Sequence, residues 1–170
     1  MRIRGIDPGL QRTGFGLIEV PDADPGGPAS LVDAGVFRLQ PKDPVISRLV
    51  HLESDLAEFL RDARPDVAGV EALFAHYAHP RTAITMAHAR GVILLTLRKA
   101  GLEVFELPPN EVKKSVTGHG HASKHQIQHA VAGVLGLAEV PEPPDIADAL
   151  AIALCAAGRV AAGRLTIRES

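Results

Sequence analysis

Apolar and polar positions change their period along the chain, and those changes predict the elements. From Arg2 to Asp7, and again from Arg12 to Val20, the pattern is that of strands, with Ile3 and Gly5 giving a packable surface and Thr13, Phe15 and Leu17 sharing one side. Pro8-Gly9 puts Pro at the second and Gly at the third position of a turn, so the two strands form a hairpin with Asp7 at its rim. A Pro, Gly and Asp-rich surface loop follows from Pro21 to Ser30, and Leu31 to Leu39 completes an antiparallel meander. Asp43-Pro44 then reads as a helix start, Asp capping and Pro at the first helical residue. Ile46, Leu49, Val50, Leu56, Phe59 and Leu60 recur at helical spacing through to Ala63, opposite Arg48, Glu53, Asp55, Glu58 and Arg61. This helix is expected to cover one face of a sheet.

Pro65-Asp66 ends it, and Val67-Ala68-Gly69-Val70 is a short unbroken apolar run, the mark of a strand buried on both faces, stopping at Glu71. A strand, crossover helix and strand normally form a right-handed parallel unit whose functional groups gather beyond the carboxyl ends of the strands. A strand ending at Glu71 parallel to the one ending at Asp7 would bring both carboxylates to one edge. His79-Pro80 starts a long helix to Lys99 or Ala100, stopped by Gly101. It is more apolar than one buried face requires, so it either packs a second stripe against a partner chain or is wholly buried. Leu102 to Leu107 reads as a fifth strand, Asn110 to Val116 and Ser123 to Leu137 as helices, and Pro141 to Pro144 as a linker. The last helix is expected from near Asp145 to about Ala162, giving one domain over 1–163 and a short polar tail over 164–170.

The totals narrow the class. A chain of 170 residues suits one domain that buries roughly 70% of its unfolded surface. Its 46% hydrophobic and 22% charged composition is that of an ordinary soluble protein. The single Cys155 excludes an internal disulfide and sits among small core residues. Asp7-Pro8-Gly9 interrupts any N-terminal signal region, and Gly158-Arg159 breaks the late apolar run before it could span a bilayer, so a cytoplasmic protein without a membrane is expected. Net charge is only -2, so any affinity for nucleic acid must come from a local patch.

Candidate chemistry begins with Asp145-Ile146-Ala147-Asp148, where a spacing of three puts two carboxylates on one helical face, their β-carbons about 5–6 Å apart. An Asp before Pro-Gly can simply start a turn, and acids in a first helical turn can simply offset the dipole. Two on one face, however, repel and raise each other's pKa unless a cation lies between them. Asp7, Glu71, Asp145 and Asp148 together form an oxygen-only ligand set, which selects Mg²⁺ or Mn²⁺ over zinc. Such a set can hold two ions about 4 Å apart for phosphodiester cleavage.

Val112 to Ala138 contains no acidic residue but has Lys113, Lys114 and Lys124, with His119, His121, His125 and His129. This is either a patch that contacts a nucleic-acid backbone or a solvated polar face, and the glycines of Thr117-Gly118-His119-Gly120 allow close approach to phosphate. His121, His125 and His129 recur every four residues, but nothing else at suitable spacing completes a zinc site. Phe74 and Tyr77 follow Glu71, where a ring could stack on an unpaired base or plug the sheet edge. Arg81 and Arg90 are further candidates for DNA contact.

Gly5-Ile6-Asp7-Pro8-Gly9 with Thr13-Gly14-Phe15-Gly16, Val70-Glu71-Ala72-Leu73-Phe74, Ala87-His88-Ala89-Arg90-Gly91, Val112-Lys113-Lys114 and Asp145-Ile146-Ala147-Asp148-Ala149-Leu150-Ala151 together resemble the RuvC family of bacterial Holliday junction resolvases. The likeness runs in order over nearly the whole chain. It implies an α/β, RNase H-like fold, a five-stranded mixed sheet with helices on both faces. It further implies a crossover junction endodeoxyribonuclease, a phosphodiester hydrolase that nicks two strands of a four-way DNA junction symmetrically in recombination and repair. A homodimer and cooperation with the RuvA and RuvB branch-migration proteins belong to the same expectation. By resemblance Asp7, Glu71, Asp145 and Asp148 are the metal-binding catalytic carboxylates, Lys113 and Lys124 contact DNA and support cleavage, and Phe74 stacks on a base at the junction.

Three other readings compete. Asp7-Pro8-Gly9 with Thr13-Gly14 also resembles the first phosphate loop of kinases and actin-like proteins, but those need two such domains and the chain leaves no room. A non-catalytic junction binder would tolerate loss of a carboxylate, and none is lost. A nuclease for another structured nucleic acid, RNA included, differs only in substrate.

Overall fold

The computed structural model describes residues 1–72 and 80–168 and places the side chains of 1–72 and 82–163. Its elements, in chain order, are β1 (Arg2–Asp7), β2 (Arg12–Glu19), β3 (Ser30–Arg38), α1 (Val45–Ala63), β4 (Val67–Glu71), α2 (Pro80–Lys99), β5 (Glu103–Leu107), α3 (Pro109–Thr117), α4 (Lys124–Leu135) and α5 (Pro144–Arg168). The strands form one sheet in the order β3-β2-β1-β4-β5. β1 to β3 are the expected antiparallel meander, and β4 and β5 add parallel to β1. The apolar run Val67 to Val70 is buried throughout because β4 is an inner strand.

Helices cover both faces. Leu52, Leu56 and Leu60 of α1 and Ile93 and Leu97 of α2 pack with Ile6, Ala68 and Val70 on one side. On the other, Val112, Ile127 and Val131 of α3 and α4, with Leu150 and Ile152 of α5, pack with Ile3 and Ile18. α5 sits directly on the sheet because Gly5 is in register with Gly16 on one side and Gly69 on the other, a row of glycines across three strands. A β-carbon at Gly5 would overlap the Ala149 carbonyl, and one at Gly16 would meet the Leu150 side chain.

Some sequence expectations need correction. Asp43 does not cap α1: Pro44 takes the cap position in an extended conformation, with no side-chain cap bond, and helical residues begin at Val45. Pro44 holds ψ at 146°, and Asp43, restricted by the following proline, stays outside the helix. Ile46 and Val50 are not on the buried stripe; they are 77% and 61% exposed, since the face of α1 that meets the sheet is the one carrying Leu52, Leu56 and Leu60. Gly158, Arg159 and Gly163 do not stop α5, which runs to Arg168, through most of the segment expected to be a tail. A glycine inside a helix costs about 1 kcal/mol, and the packing of Ala147 to Ala157 outweighs it. Over Pro144–Gly163 the mean hydropathy is 1.6, long and apolar enough by composition to cross a membrane, but α5 is the core helix of this fold, laid against the central strands.

Candidate active site

Strand direction delivers the first two carboxylates. The parallel register pairs Ile6 with Val70, so the next residues, Asp7 and Glu71, end neighbouring strands at the same edge, as the sequence led us to expect. Asp7 also lies opposite Gly14 of β2, and a β-carbon at Gly14 would overlap the Asp145 carbonyl. The bare backbone of Gly14 is thus what lets the start of α5 settle beside Asp7. Asp148 follows one turn along α5. The linker before α5 is tied to α4 by Gln128, whose Nε2 donates to the Pro141 carbonyl at 3.3 Å and to Glu142 Oε1 at 3.1 Å.

The electrostatics of the group follow from burial and repulsion. Burial pushes the Asp7 carboxyl well above its usual range, and the charges of Glu71, Asp148 and Asp145 push it further, against Lys124. Glu71 is raised by burial and then by Asp148, with Lys113 and Lys124 opposing. Asp148 is raised by burial, opposed chiefly by Lys124, whose Nζ lies 3.8 Å from its Oδ2. Glu71, Asp145 and Asp148 therefore all lie within electrostatic reach of Asp7, with Lys113 and Lys124 beside the group.

The donor set suits a hard divalent cation: four carboxylates, no sulfur, and a buried Asp7 whose charge only a cation stabilises fully. Among the described residues, no three His, Cys, Asp or Glu side chains stand close enough to hold one ion as they are.

The other candidates divide. Lys113 and Lys124 join the carboxylates, whereas Lys114 lines a separate hollow with Glu111, Ser115, Cys155 and Arg159. Phe74, Tyr77 and the side chain of Arg81 lie outside the described residues. Arg90 does not face solvent as a DNA contact would: its Nε donates to the Glu71 carbonyl at 3.1 Å and its Nη2 pairs with the Glu106 carboxylate, so it braces the end of β4 behind Glu71. His125 and His129 stack at 4.0 Å between ring centroids on the exposed side of α4, and His129 Nδ1 is bonded to the His125 carbonyl.

Sequence reasoning missed two features of this region. A cleft of about 680 Å³ opens from Asp7 and Asp145 toward Arg12, Arg48, Thr82, Thr85 and Met86. Arg48 stands far from the carboxylates in sequence and belongs to no motif, so only contact between elements reveals it. The bracing role of Arg90 was equally hidden, since a helical arginine before Gly91 looks the same whether it faces in or out.

The model of the family described as "Crossover junction endodeoxyribonuclease RuvC" matches residues 3–156. A crossover junction endodeoxyribonuclease RuvC from Caldicellulosiruptor saccharolyticus is 43% identical over 155 residues, 91% of each chain. The solved structure described as Thermus thermophilus RuvC in complex with Holliday junction substrate superposes with a TM-score of 0.87 at 36% identity, covering 96% of both chains. The yeast mitochondrial Holliday junction resolvase Ydc2, 13% identical with a TM-score of 0.66, shares the fold. The chain belongs to the RuvC family of crossover junction endodeoxyribonucleases.

Proposed function

We propose that the chain is a metal-dependent endodeoxyribonuclease that resolves four-way DNA junctions by paired nicks in recombination and repair. The observation that carries this reading is the meeting of Asp7, Glu71, Asp145 and Asp148 at one sheet edge beside Lys113 and Lys124, in a chain that matches the family from residue 3 to 156. The four carboxylates would hold Mg²⁺ or Mn²⁺, two ions per site. Bound there, the cations supply an activated water and stabilise the leaving oxygen. The chain's own residues do the rest. Arg90 holds the end of β4 and with it Glu71, and Lys113 and Lys124 draw the phosphate backbone toward the carboxylates.

Residues 1–163 act as one nuclease unit, in the cytoplasm where the DNA is, as a homodimer working with RuvA and RuvB. The second copy is supported by α2, where Ile84 and Leu95 are 58% and 59% exposed and share a face with Ala87, His88 and Gly91, all exposed. Two sites related by a two-fold axis suit two symmetric nicks. Phe74 is assigned to base stacking at the junction centre, Arg81 and Lys114 to backbone contact farther out.

The test is cleavage of a synthetic four-way junction beside a linear duplex and a hairpin RNA, with and without Mg²⁺ or Mn²⁺. The junction alone should be nicked, and only with metal. Asp7→Asn should bind the junction and leave it intact. Equal cutting of all three substrates, or cutting by Asp7→Asn, would overturn the reading.

A further inference from the structure

The lysines account for one flank of the carboxylates, since Lys113 and Lys124 reach Glu71 and Asp148 from α3 and α4. On the α1 and α2 side of the sheet is the cleft of about 680 Å³, lined by Asp7 and Asp145, by the turn from Pro8 to Arg12, and by Arg48 of α1 and Thr82 of α2. Arg48 is held in place: its Nη1 donates to the Leu10 carbonyl at 3.2 Å, while its Nε is buried with no partner among the described residues. A guanidinium lining an open cleft can take an anionic acceptor there, and charge-assisted bonds to phosphate are among the strongest available. Arg12 adds a second, exposed guanidinium at the start of β2, and Thr82 an exposed hydroxyl.

We infer that this cleft is a second backbone-phosphate track, in which Arg48 and Arg12 bind the strand being cut on the side of the scissile bond opposite Lys113 and Lys124. The inference rests on the junction-cutting reading and extends it. A strand gripped on both flanks has its scissile phosphate fixed over the carboxylates, whereas lysines on one flank alone would leave it free to swing. Geometry favours arginine at Arg48, because its planar fork can keep the Leu10 carbonyl on one nitrogen and offer another to a phosphate.

The experiment is equilibrium binding of the full chain to a four-way junction, without divalent metal, across a series of salt concentrations, for the parent, Arg12→Gln, Arg48→Gln and Arg48→Lys. Loss of one phosphate contact should flatten the dependence of log K on log salt by about 0.9 and weaken binding uniformly across junction sequences. Both Gln variants should show this, with Arg48→Lys keeping most of the parent slope. A bracing role for Arg48 alone would lower thermal stability and leave the slope unchanged, and an unchanged slope in both Gln variants overturns the track. If Arg48→Gln fails to fold, Arg12→Gln decides, since Arg12 is exposed. A parent that shows no preference for the junction over duplex refutes the functional reading itself; a parent that prefers it while both variants keep its slope refutes only the cleft.

Discussion

Asp7 shows how function and stability oppose each other at one residue. Its folded carboxyl is raised well above the ordinary 3.8, by burial first and by its acidic neighbours second. Above 3.8 the folded chain therefore binds more protons here than the unfolded chain, and stability falls as pH rises from that value through the folded pKa. Asp7→Asn should accordingly stabilise the metal-free protein at neutral pH, by about 0.5–2 kcal/mol, within the usual range for relieving a strained functional residue. The gain should vanish below the ordinary carboxylate range, and Mg²⁺ should raise the melting temperature of the parent but not of the variant. Melting curves at several pH values, with and without metal, check all of this; a gain that persists at acid pH would assign the effect to packing instead. Arg4 is the opposite case, a fully buried cation on β1. Its guanidinium lies 3.4 Å from the Phe59 ring centroid and 4.9 Å from that of Phe15, and all three of its nitrogens lack hydrogen-bond partners among the described residues. Burial lowers its pKa to about 9, with Asp33 opposing, so it stays charged at neutral pH and rests on the aromatic faces.

Between elements, the decisive contact is α5 on the glycine row. The helix reaches the sheet backbone to backbone at Gly5 and Gly14, and that closeness carries Asp145 and Asp148 to Asp7. Gly5→Ala would push a methyl group into the Ala149 carbonyl. Neither backbone can rotate away, so the cost should fall at the upper end of the about 1–3 kcal/mol seen for overpacking. The helix must also lift, and a 1 Å misplacement can cost about 10²-fold in rate. Denaturant unfolding and junction cleavage measured on the same variant test the link. Full activity in a destabilised Gly5→Ala would show that α5 does not set the carboxylate geometry.

At the scale of the molecule, the most exposed large apolar side chains among the described residues, Ile46, Val50, Ile84 and Leu95, lie on α1 and α2, with Leu31 and Val32 on β3 and Val134 on α4 less exposed. α2 is not wholly buried: Ala89, Ile93 and Leu97 lie in the core, and Ile84 and Leu95 remain exposed. If that outer stripe joins two copies, Leu95→Glu should shift the protein from dimer to monomer in sedimentation equilibrium. The monomer should still melt cooperatively, because Leu95 contributes little to the monomer core. Paired nicking should decay to single nicks, while an unchanged dimer would place the interface elsewhere.

Much of this was legible from residues alone, for reasons of period and chemistry. Alternation by two and by 3.6 found the strands and helices, and the break of each apolar run at an acid marked Asp7 and Glu71. Spacing of three paired Asp145 with Asp148, and Ser123 with Gln126 formed the capping box that opens α4 where its helix was expected. What sequence could not decide is which way a side chain faces once elements pack. Asp43 and Pro44 carried ordinary cap chemistry, and the backbone put the start of α1 one residue later. Ile46 and Val50 fit the helical period yet turned outward, because the orientation of α1 is set by the sheet beneath it. Arg90 and Arg48 are two helical arginines of similar local setting, one bracing β4 behind Glu71 and the other lining the cleft beside Asp7. The sequence by itself determined the order of strands and helices and singled out the four candidate carboxylates. Only the tertiary structure decided which cations meet them, because those contacts depend on how closely α5 and the sheet approach, and that distance is set by glycines whose partners lie far away in the chain.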